Sequence, residues 1–351
     1  MQGLTIKDLG EFGFIELIRN RFRHHRRSDV VVGIGDDVAV VDVGPFYLLA
    51  TCDGQVEGVH FLSDRVPPRY SGRRLVAVNA SDIAAMGGTP LWALVAMNVP
   101  DHTDVSYLEE FYEGIVEGLE KIGASLVGGN CSRTSRDTVF DLFLTGRVEK
   151  GRMVTRSGAK PGDLLVVSGT LGRARAGLTL LLRKDAESLQ KILEGSSRSG
   201  IDDLLKNAIL HYYAPEPRME LGRFIGSEGL ARAMIDVSDG LLQDTLHICR
   251  SSGVDVVIDL ESIPVDESCA LVAKEVGEDP LEWALTGGED YELLFATTQK
   301  DFKRLFEIFG SVVGLNVIGY FREGSGRVWI RMNDGSEVSA EFFASMGWTH
   351  F

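Results

Sequence analysis

Apolar residues in the N-terminal part of the chain alternate between helical spacing and short runs rich in β-branched residues. The helical spacing predicts helices at residues 9–22, within 73–90 and at 104–124. The short runs predict strands at residues 30–34, 38–41, 46–51, 90–100, 125–130 and 139–150. The last strand but one is expected to enter a glycine turn at Gly128 and Gly129.

The C-terminal part continues this alternation after a segment rich in turn residues, 156–172. The pattern predicts a buried strand at 164–168 and helices over 170–220 with a polar interruption at 194–203. Further elements are predicted as strand, turn and helix at 231–253, strands at 253–264 and 287–298, a helix at 300–310 and a strand-rich tail. Because 351 residues exceed what one hydrophobic core usually supports, we expect two α/β domains, residues 1–150 and 151–351.

A Ser-Asp pair stands beside a predicted helix start in each half of the chain. The pairs are Ser81-Asp82 in NASDIAAMGG and Ser238-Asp239 in DVSDGLLQD. Two short matches weakly favour two related domains.

The acidic composition limits the range of partners. The formal net charge is -15, and hydrophobic residues make up 44% of the chain, as in ordinary soluble proteins. Such a surface repels nucleic acid and anionic membranes, so neither is expected as a partner. A phosphorylated substrate would meet the same repulsion unless metal ions reversed the local field.

The cysteines and the hydropathy indicate the compartment. The four cysteines form no C-x-x-C pair, which argues against a zinc ribbon or a disulfide scaffold. No apolar run approaches the roughly 18 residues of a membrane span, and the first residues show no signal-peptide pattern. We therefore expect a reduced, cytoplasmic protein.

Carboxylates recur beside glycine or serine at predicted strand ends and helix starts. These acids are Asp37, Asp53, Asp82, Asp236, Asp239, Glu289 and Asp290. Each alone is open to interpretation as a helix N-cap or a turn former. As a set they have few basic neighbours, and buried carboxylates need partners, which hard divalent cations would supply. One acid of Asp36-Asp37 would then face a metal-filled cleft.

Glycine-rich segments at 127–130 and 286–290 would let the backbone approach a phosphate closely. The chain has no G-x-x-x-x-G-K-[ST] loop and no H-R-D or D-F-G motif. A phosphoryl-transfer enzyme with this sequence would therefore use neither common machinery.

Six motifs, taken in chain order, resemble those of the thiamine-monophosphate kinases. They are GIGDD, VEGVHF, AVNASDIAAMGGTP, RSGAKPGD, IDVSDGL and GGEDYELLF, and the resemblance runs from about Gly10 to Phe351. VEGVHF and GGEDYEL distinguish this family from the related aminoimidazole ribonucleotide synthetases, selenophosphate synthetases and hydrogenase-maturation dehydratases.

The resemblance implies a reaction and an architecture. ATP would pass its γ-phosphoryl group directly, in line, to thiamine monophosphate, giving thiamine diphosphate and ADP in the last step of thiamine diphosphate biosynthesis. The implied fold is α/β and similar to aminoimidazole ribonucleotide synthetase, with an N-terminal domain that forms a β-barrel across a homodimer and a C-terminal α/β domain. The nucleotide and several Mg²⁺ ions would lie in the cleft between the domains, with no catalytic residue beyond the metal ligands.

The resemblance also implies the site residues. The implied metal ligands are Asp37, Thr51, Cys52, Asp53, Asp82, Asp236 and Asp239. The implied ATP contacts are Tyr112, Gly129, Asn130, Arg156 and Ser238. The implied thiamine monophosphate contacts are His60, Glu289 and Trp348.

Two positions depart from the family pattern. Cys52 stands where the family commonly has threonine, and a thiol is a poor ligand for Mg²⁺, so its backbone carbonyl would have to serve. Asn130 stands where the family commonly has aspartate, which keeps an oxygen but removes a charge. We expect one metal ion to be held more weakly, or through water.

Two other functions stay open on the residues alone. One is a different ATP-dependent synthetase of the same superfamily, although no motif for handling an amidine or selenium is visible. The other is a non-catalytic protein whose acids hold divalent cations for stability.

Overall fold

The computed structural model describes residues 5–25, 27–194, 200–343 and 347. The helices are α1 Ile6–Phe22, α2 Pro68–Ala85, α3 Val105–Lys121, α4 Arg173–Arg183, α5 Ala186–Glu194, α6 Gly200–Tyr213, α7 Met219–Glu228, α8 Leu241–Ser252, α9 Glu267–Val276, α10 Pro280–Thr286 and α11 Gln299–Phe309. The strands are β1 Val30–Val32, β2 Ala39–Asp42, β3 Tyr47–Val56, β4 Thr89–Val99, β5 Ser125–Arg133, β6 Val139–Val148, β7 Leu164–Ser168, β8 Ala233–Asp236, β9 Val254–Asp259, β10 Leu293–Thr297, β11 Leu315–Glu323, β12 Val328–Arg331 and β13 Glu337–Ser339. In the part of the chain so described, none of the helices has the length and hydropathy that a bilayer crossing requires.

The first sheet has six strands in the order β1-β2-β3-β6-β4-β5. Neighbouring strands are antiparallel except for β4 and β5. Helices α2 and α3 cover one face, where Phe111 stacks on Phe140 with ring centroids 3.8 Å apart. The two helices can pack closely because residue 72 is glycine. Any side chain at this position would collide with the Phe111 carbonyl oxygen.

The opposite face of this sheet is open. Cys52, Phe143 and Leu94 are cross-strand neighbours on β3, β6 and β4, so their side chains lie on the same face. Phe143 is 50% exposed and Leu94 46%. An apolar row of this kind is uncommon on the surface of a monomer.

The second sheet has seven strands in the order β13-β12-β9-β11-β7-β10-β8. Side chains along β7 alternate between two cores: Leu165 and Val167 join one and Val166 joins the other. The second of these cores also contains Ala84 and Ala85 of α2. Helix α2 therefore packs against both halves of the molecule.

Two predictions from the sequence were wrong. Ser81 and Asp82 lie inside α2, near its end, because the helix already begins at Pro68, a favourable first helical residue. Gly128 and Gly129 lie in strand β5 and form no turn. A side chain at Gly129 would collide with the Val95 carbonyl oxygen, so glycine permits this close parallel pairing. Ser238-Asp239, in contrast, precedes α8 as predicted.

Candidate active site

Three aspartates from distant parts of the chain meet between the two sheets; the side chains of Asp37 and Asp236 are buried, and Asp82 is half-buried. Asp37 follows β1, Asp82 lies in α2, and Asp236 is the last residue of β8. One carboxylate oxygen from each lies within 4.8 Å of those of the other two. Helix α2 makes this convergence possible because it packs on both halves.

Strand β3 supplies the wall next to Asp82. The Thr51 hydroxyl donates a hydrogen bond to Asp82 Oδ2 at 2.5 Å, which fixes one carboxylate oxygen. The backbone N–H of Asp53 donates to Asn79 Oδ1 at 2.9 Å, which ties the strand to α2. The structure therefore brings Thr51 and Asp53 beside the three aspartates.

Cys52 lies between these residues, but its side chain is on the other face of the sheet. Successive side chains of a strand alternate, so Cys52 shares the open face with Phe143. Burial and the nearby Asp141 raise the pKa of this thiol to about 11. The thiol is thus directed away from the aspartates, and only the Cys52 backbone remains as a potential ligand.

The electrostatics of the three aspartates favour a bound cation. Burial and the charge of Asp37 raise the pKa of Asp236 to about 7. Burial, followed by the charge of Asp53, raises the pKa of Asp82 well above its usual range. These raised pKa values mean that ionising all three carboxylates is unfavourable unless a cation binds among them.

The donor set fits a hard divalent cation. Among the described residues, Asp37 Oδ2 and Asp236 Oδ2 are buried carboxylate oxygens with no hydrogen-bond partner. Unsatisfied buried carboxylate oxygens are costly, and oxygen ligands are what Mg²⁺ prefers. Asp37, Asp82 and Asp236 could therefore hold such an ion.

Arg156 is a fixed positive charge at the same place. Its Nη2 lies 2.6 Å from Asp37 Oδ1, and its Nε donates to the same oxygen at 3.0 Å. Its backbone N–H donates to Asp36 Oδ1 at 3.2 Å, and burial raises the pKa of Asp36 to about 6. Arg156 therefore attaches the loop before β7 to the loop after β1.

The loop of residues 287–292 places Glu289 in an unusual backbone conformation. Its φ is 68°, a left-handed value that non-glycine residues adopt rarely. The Glu289 N–H donates to the Ser238 carbonyl at 2.8 Å, so the loop is held against the turn that carries Ser238 and Asp239. Backbone strain of this kind often accompanies function.

Asp290, the neighbour of Glu289, has a structural role. It is buried and accepts hydrogen bonds from the backbone N–H groups of Gly172 at 2.7 Å and Ala174 at 3.1 Å. These are donors at the start of α4, so Asp290 caps that helix. Its position in the GGED motif does not bring it to the three aspartates.

Asp239 joins a second group of potential ligands, with Asp244 and His247. One potential ligand atom from each lies within 4.8 Å of the others. Asp244 Oδ2 accepts from the backbone N–H groups of Ser238, Asp239 and Gly240 at 3.1–3.2 Å, so it shapes the turn. Sequence reasoning missed Asp244 and His247, although their i,i+3 spacing on one helix was a usable signal.

The predicted ATP contacts of the first half lie on two elements: Tyr112 is on α3, and Gly129 and Asn130 are on β5 of the first sheet. The Tyr112 ring meets Phe111 edge-on, and burial and the nearby Cys131 raise the pKa of its hydroxyl. Asn130 is exposed on β5 and donates to Ser132 Oγ at 3.0 Å. Within the described residues, Tyr112 and Asn130 contact neighbours on α3 and β5 and are not members of the group formed by Asp37, Asp82 and Asp236.

His60 has a defined tautomer. Its Nδ1 accepts a hydrogen bond from the Val56 backbone N–H at 3.0 Å. The neutral ring therefore carries its proton on Nε2, which makes that nitrogen a donor. Trp348, the remaining predicted thiamine contact, lies outside the described residues.

The metal-free protein should lose stability as the pH rises. The pKa of Asp236 is about 7 in the folded chain, against about 3.9 in an unfolded one. Between these values the folded chain holds the extra proton, so the free energy of unfolding falls by up to about 1 kcal/mol per pH unit as the pH rises. Urea unfolding in a chelator at a series of pH values measures this.

Asp236→Asn is the matched control, because it should flatten the profile. At about pH 7 and above, added Mg²⁺ should restore the stability that the metal-free protein loses between about pH 4 and about pH 7. A wild-type profile recorded in chelator that stays flat from about pH 5 to about pH 7 would contradict the raised pKa of Asp236.

Both parts of the chain match models of one group of proteins. "AIR synthase related protein, N-terminal domain" matches residues 35–148, and "AIR synthase related protein, C-terminal domain" matches residues 160–330. The fold and the site therefore define a two-domain α/β protein of the AIR synthase related class, as the sequence predicted.

Comparison with known proteins places the chain in one family within this class. The thiamine-monophosphate kinase of Aquifex aeolicus is 36% identical over 350 residues, covering 99% of this chain and 100% of that protein. That of Escherichia coli K12 is 36% identical over 345 residues, covering 97% and 98%. The solved structure described as "AaThiL complexed with AMPPCP and TMP" is 35% identical, with a TM-score of 0.82 and complete coverage of both chains. The chain belongs to the thiamine-monophosphate kinase family.

Proposed function

We propose that this protein transfers the γ-phosphoryl group of ATP to thiamine monophosphate, producing thiamine diphosphate and ADP. The convergence of Asp37, Asp82 and Asp236 between the two halves carries the proposal. Membership in the thiamine-monophosphate kinase family supports the choice of substrates. So does the related structure, whose description names AMPPCP, an ATP analogue, and TMP.

The reaction must bring two anionic phosphates together. Two like unit charges about 4 Å apart repel by roughly 4 kcal/mol at an effective dielectric constant near 20. The proposed Mg²⁺ ligands are Asp37, Asp53, Asp82 and Asp236, and Asp239 is a further ligand. Thr51 would orient Asp82 through its hydrogen bond. When bound, Mg²⁺ neutralises phosphate oxygens as they approach. Asn130 and the Cys52 carbonyl are weaker candidate ligands.

The chain's own residues supply positioning rather than covalent chemistry. Arg156 is a bidentate donor that would bind a nucleotide phosphate, and Tyr112, Gly129, Asn130 and Ser238 are proposed to contact ATP. Since the accepting phosphate is already an anion, no strong general base is required. We propose direct, in-line transfer with no phosphoenzyme, as the resemblance to the family implies.

Thiamine monophosphate would bind near His60 and Glu289. The His60 Nε2–H is a donor suited to an anionic substrate, and the Glu289 carboxylate suits the cationic thiazolium or the aminopyrimidine. Trp348 is proposed to cover the thiazolium, since an indole face attracts a cation by about 0.5–2 kcal/mol.

We further propose that the open face of the first sheet forms a β-barrel with the same face of a second copy. The exposed row of Leu94 and Phe143, with Trp92 at 49% exposure on the same strand as Leu94, supports this. Self-complementary apolar faces are typical of twofold dimers. The unpaired state of the four cysteines is consistent with a reduced cytoplasmic setting.

Phe143→Glu should convert the dimer into a monomer. The charge would be buried in the proposed interface but exposed in a monomer, so association should weaken by at least about tenfold while the fold persists. Light scattering after size exclusion measures the mass. Phe306→Glu, which changes an equally exposed phenylalanine on α11, should leave the mass unchanged. A Phe143→Glu protein of wild-type mass would refute the interface.

An acceptor-selection assay tests the proposed function. ADP release would be measured with thiamine monophosphate, thiamine or aminoimidazole precursors, each with Mg²⁺ or with a chelator. We expect turnover only with thiamine monophosphate and Mg²⁺, together with stoichiometric thiamine diphosphate. Turnover with an aminoimidazole precursor would indicate a synthetase, and turnover with thiamine would indicate a kinase for a hydroxyl acceptor. Mg²⁺ binding without ATP consumption would indicate a non-catalytic cation-binding protein.

A further inference from the structure

A guanidinium group lies buried beside the proposed thiamine site. Arg74 of α2 has a side chain only 2% exposed. A charged group in such a position is costly unless it is paired and hydrogen-bonded. Among the described residues its Nε has no hydrogen-bond partner, so the contacts of Nη1 and Nη2 indicate its role.

Arg74 belongs to the first half of the chain, and its two partners, Glu289 and Tyr212, belong to the second half. Its Nη2 is paired with Glu289 Oε1, and its Nη1 donates to the Tyr212 carbonyl oxygen on α6. The guanidinium carbon also lies 4.5 Å from the centre of the Tyr212 ring. Helix α2 of the first half thus holds the Glu289 side chain through Arg74.

The ion pair is made through Oε1 of Glu289, and the Glu289 side chain stays partly accessible. The exposed fraction of that side chain is 30%. The backbone of Glu289 is fixed separately, by its left-handed conformation and by the bond to the Ser238 carbonyl. Arg74 is therefore the contact that determines where the carboxylate group itself is held.

Tyr212 extends the same connection to His60. Its hydroxyl donates to the His60 carbonyl oxygen at 3.4 Å. Arg74 and Tyr212 together therefore connect the two predicted thiamine contacts, His60 and Glu289, which belong to different halves of the chain.

We propose that Arg74 is a positioning residue that orients the Glu289 carboxylate toward the thiamine part of the substrate. This inference rests on the proposed function. Arg74 acts through Glu289 and does not touch the reacting phosphates. Its loss should accordingly weaken substrate binding without altering phosphoryl transfer or ATP binding.

Arg74→Met and Arg74→Lys test the proposal in the full-length protein. We expect Arg74→Met to raise the KM for thiamine monophosphate by at least about tenfold, while kcat and the KM for ATP stay within about twofold. Arg74→Lys keeps the charge but loses the planar fork, so its effect should be smaller. Arg73→Met, which removes the neighbouring, partly exposed arginine paired with Glu117, should leave all three constants unchanged.

A double-mutant cycle with Glu289→Gln separates positioning from a general effect on folding. If Arg74 acts through Glu289, replacing Arg74 in the Glu289→Gln background should change the KM for thiamine monophosphate by less than about twofold. Additive effects, or an equal loss for both substrates, would overturn the proposal. If Arg74→Met does not fold, the cycle with Arg74→Lys gives the same decision. Wild-type protein inactive on thiamine monophosphate would instead refute the proposed function.

Discussion

Asp82→Asn should lower kcat by about a thousandfold, or about 4 kcal/mol in transition-state stabilisation. Asp82 is half-buried, is oriented by Thr51, and has one carboxylate oxygen within 4.8 Å of oxygens from Asp37 and Asp236. The substitution removes a charge from the place where cations must be held. Steady-state kinetics at saturating ATP and thiamine monophosphate measure the loss.

The same substitution should leave the metal-free protein at least as stable as the wild type. Burial and the nearby Asp53 raise the pKa of Asp82, so its charged form opposes folding, and asparagine removes that cost. Asp101→Asn, at an exposed aspartate, is the control and should change neither property. A folded Asp82→Asn protein with normal turnover would refute the role of Asp82, whereas lost activity with lost stability would indicate a folding defect.

Arg156→Met should reduce kcat/KM for ATP by about a hundredfold. Two nitrogens of Arg156 donate to the same oxygen of Asp37, whose side chain is fully buried. Without it, a buried carboxylate loses its cationic partner and the proposed phosphate contact is lost as well. Arg156→Lys should retain part of the activity, because lysine keeps the charge but not the geometry.

Arg133→Met provides the comparison, since Arg133 is exposed and pairs with Asp101 at the surface. We expect it to behave as the wild type in the same assay. If Arg156→Met retained full activity while folded, Arg156 would be only a structural tie between the two loops.

Local patterns predicted most helices and strands of this fold. The strand at Leu164–Ser168 has the predicted bounds, because a short buried run with turn residues on both sides has few alternatives. Helix α2 begins earlier than predicted because the polar residues near Pro68 concealed its first turn. Helices α9 and α10 were not predicted, since they are short and defined largely by their Asp266 and Asp279 caps.

The individual acids of the site could be found from the sequence, but their arrangement could not. Asp37 and Asp236 are far apart along the chain but close in space, and no local sequence pattern encodes such a long-range contact. The Gly128-Gly129 pair looked like a phosphate-binding turn because glycine serves turns and close strand approaches equally. The buried Arg74–Glu289 pair was missed because a basic residue on a predicted helix ordinarily faces solvent.

Anomalous diffraction from Mn²⁺ would test the convergence of the aspartates most directly. Crystals of the protein would be grown with an ATP analogue that cannot transfer its phosphoryl group, together with thiamine monophosphate. We expect peaks about 2.0–2.3 Å from carboxylate oxygens of Asp37, Asp82 and Asp236, between the phosphates of the two ligands. Both ligands bound with the ions elsewhere, and these three carboxylates free of metal, would contradict the proposed site.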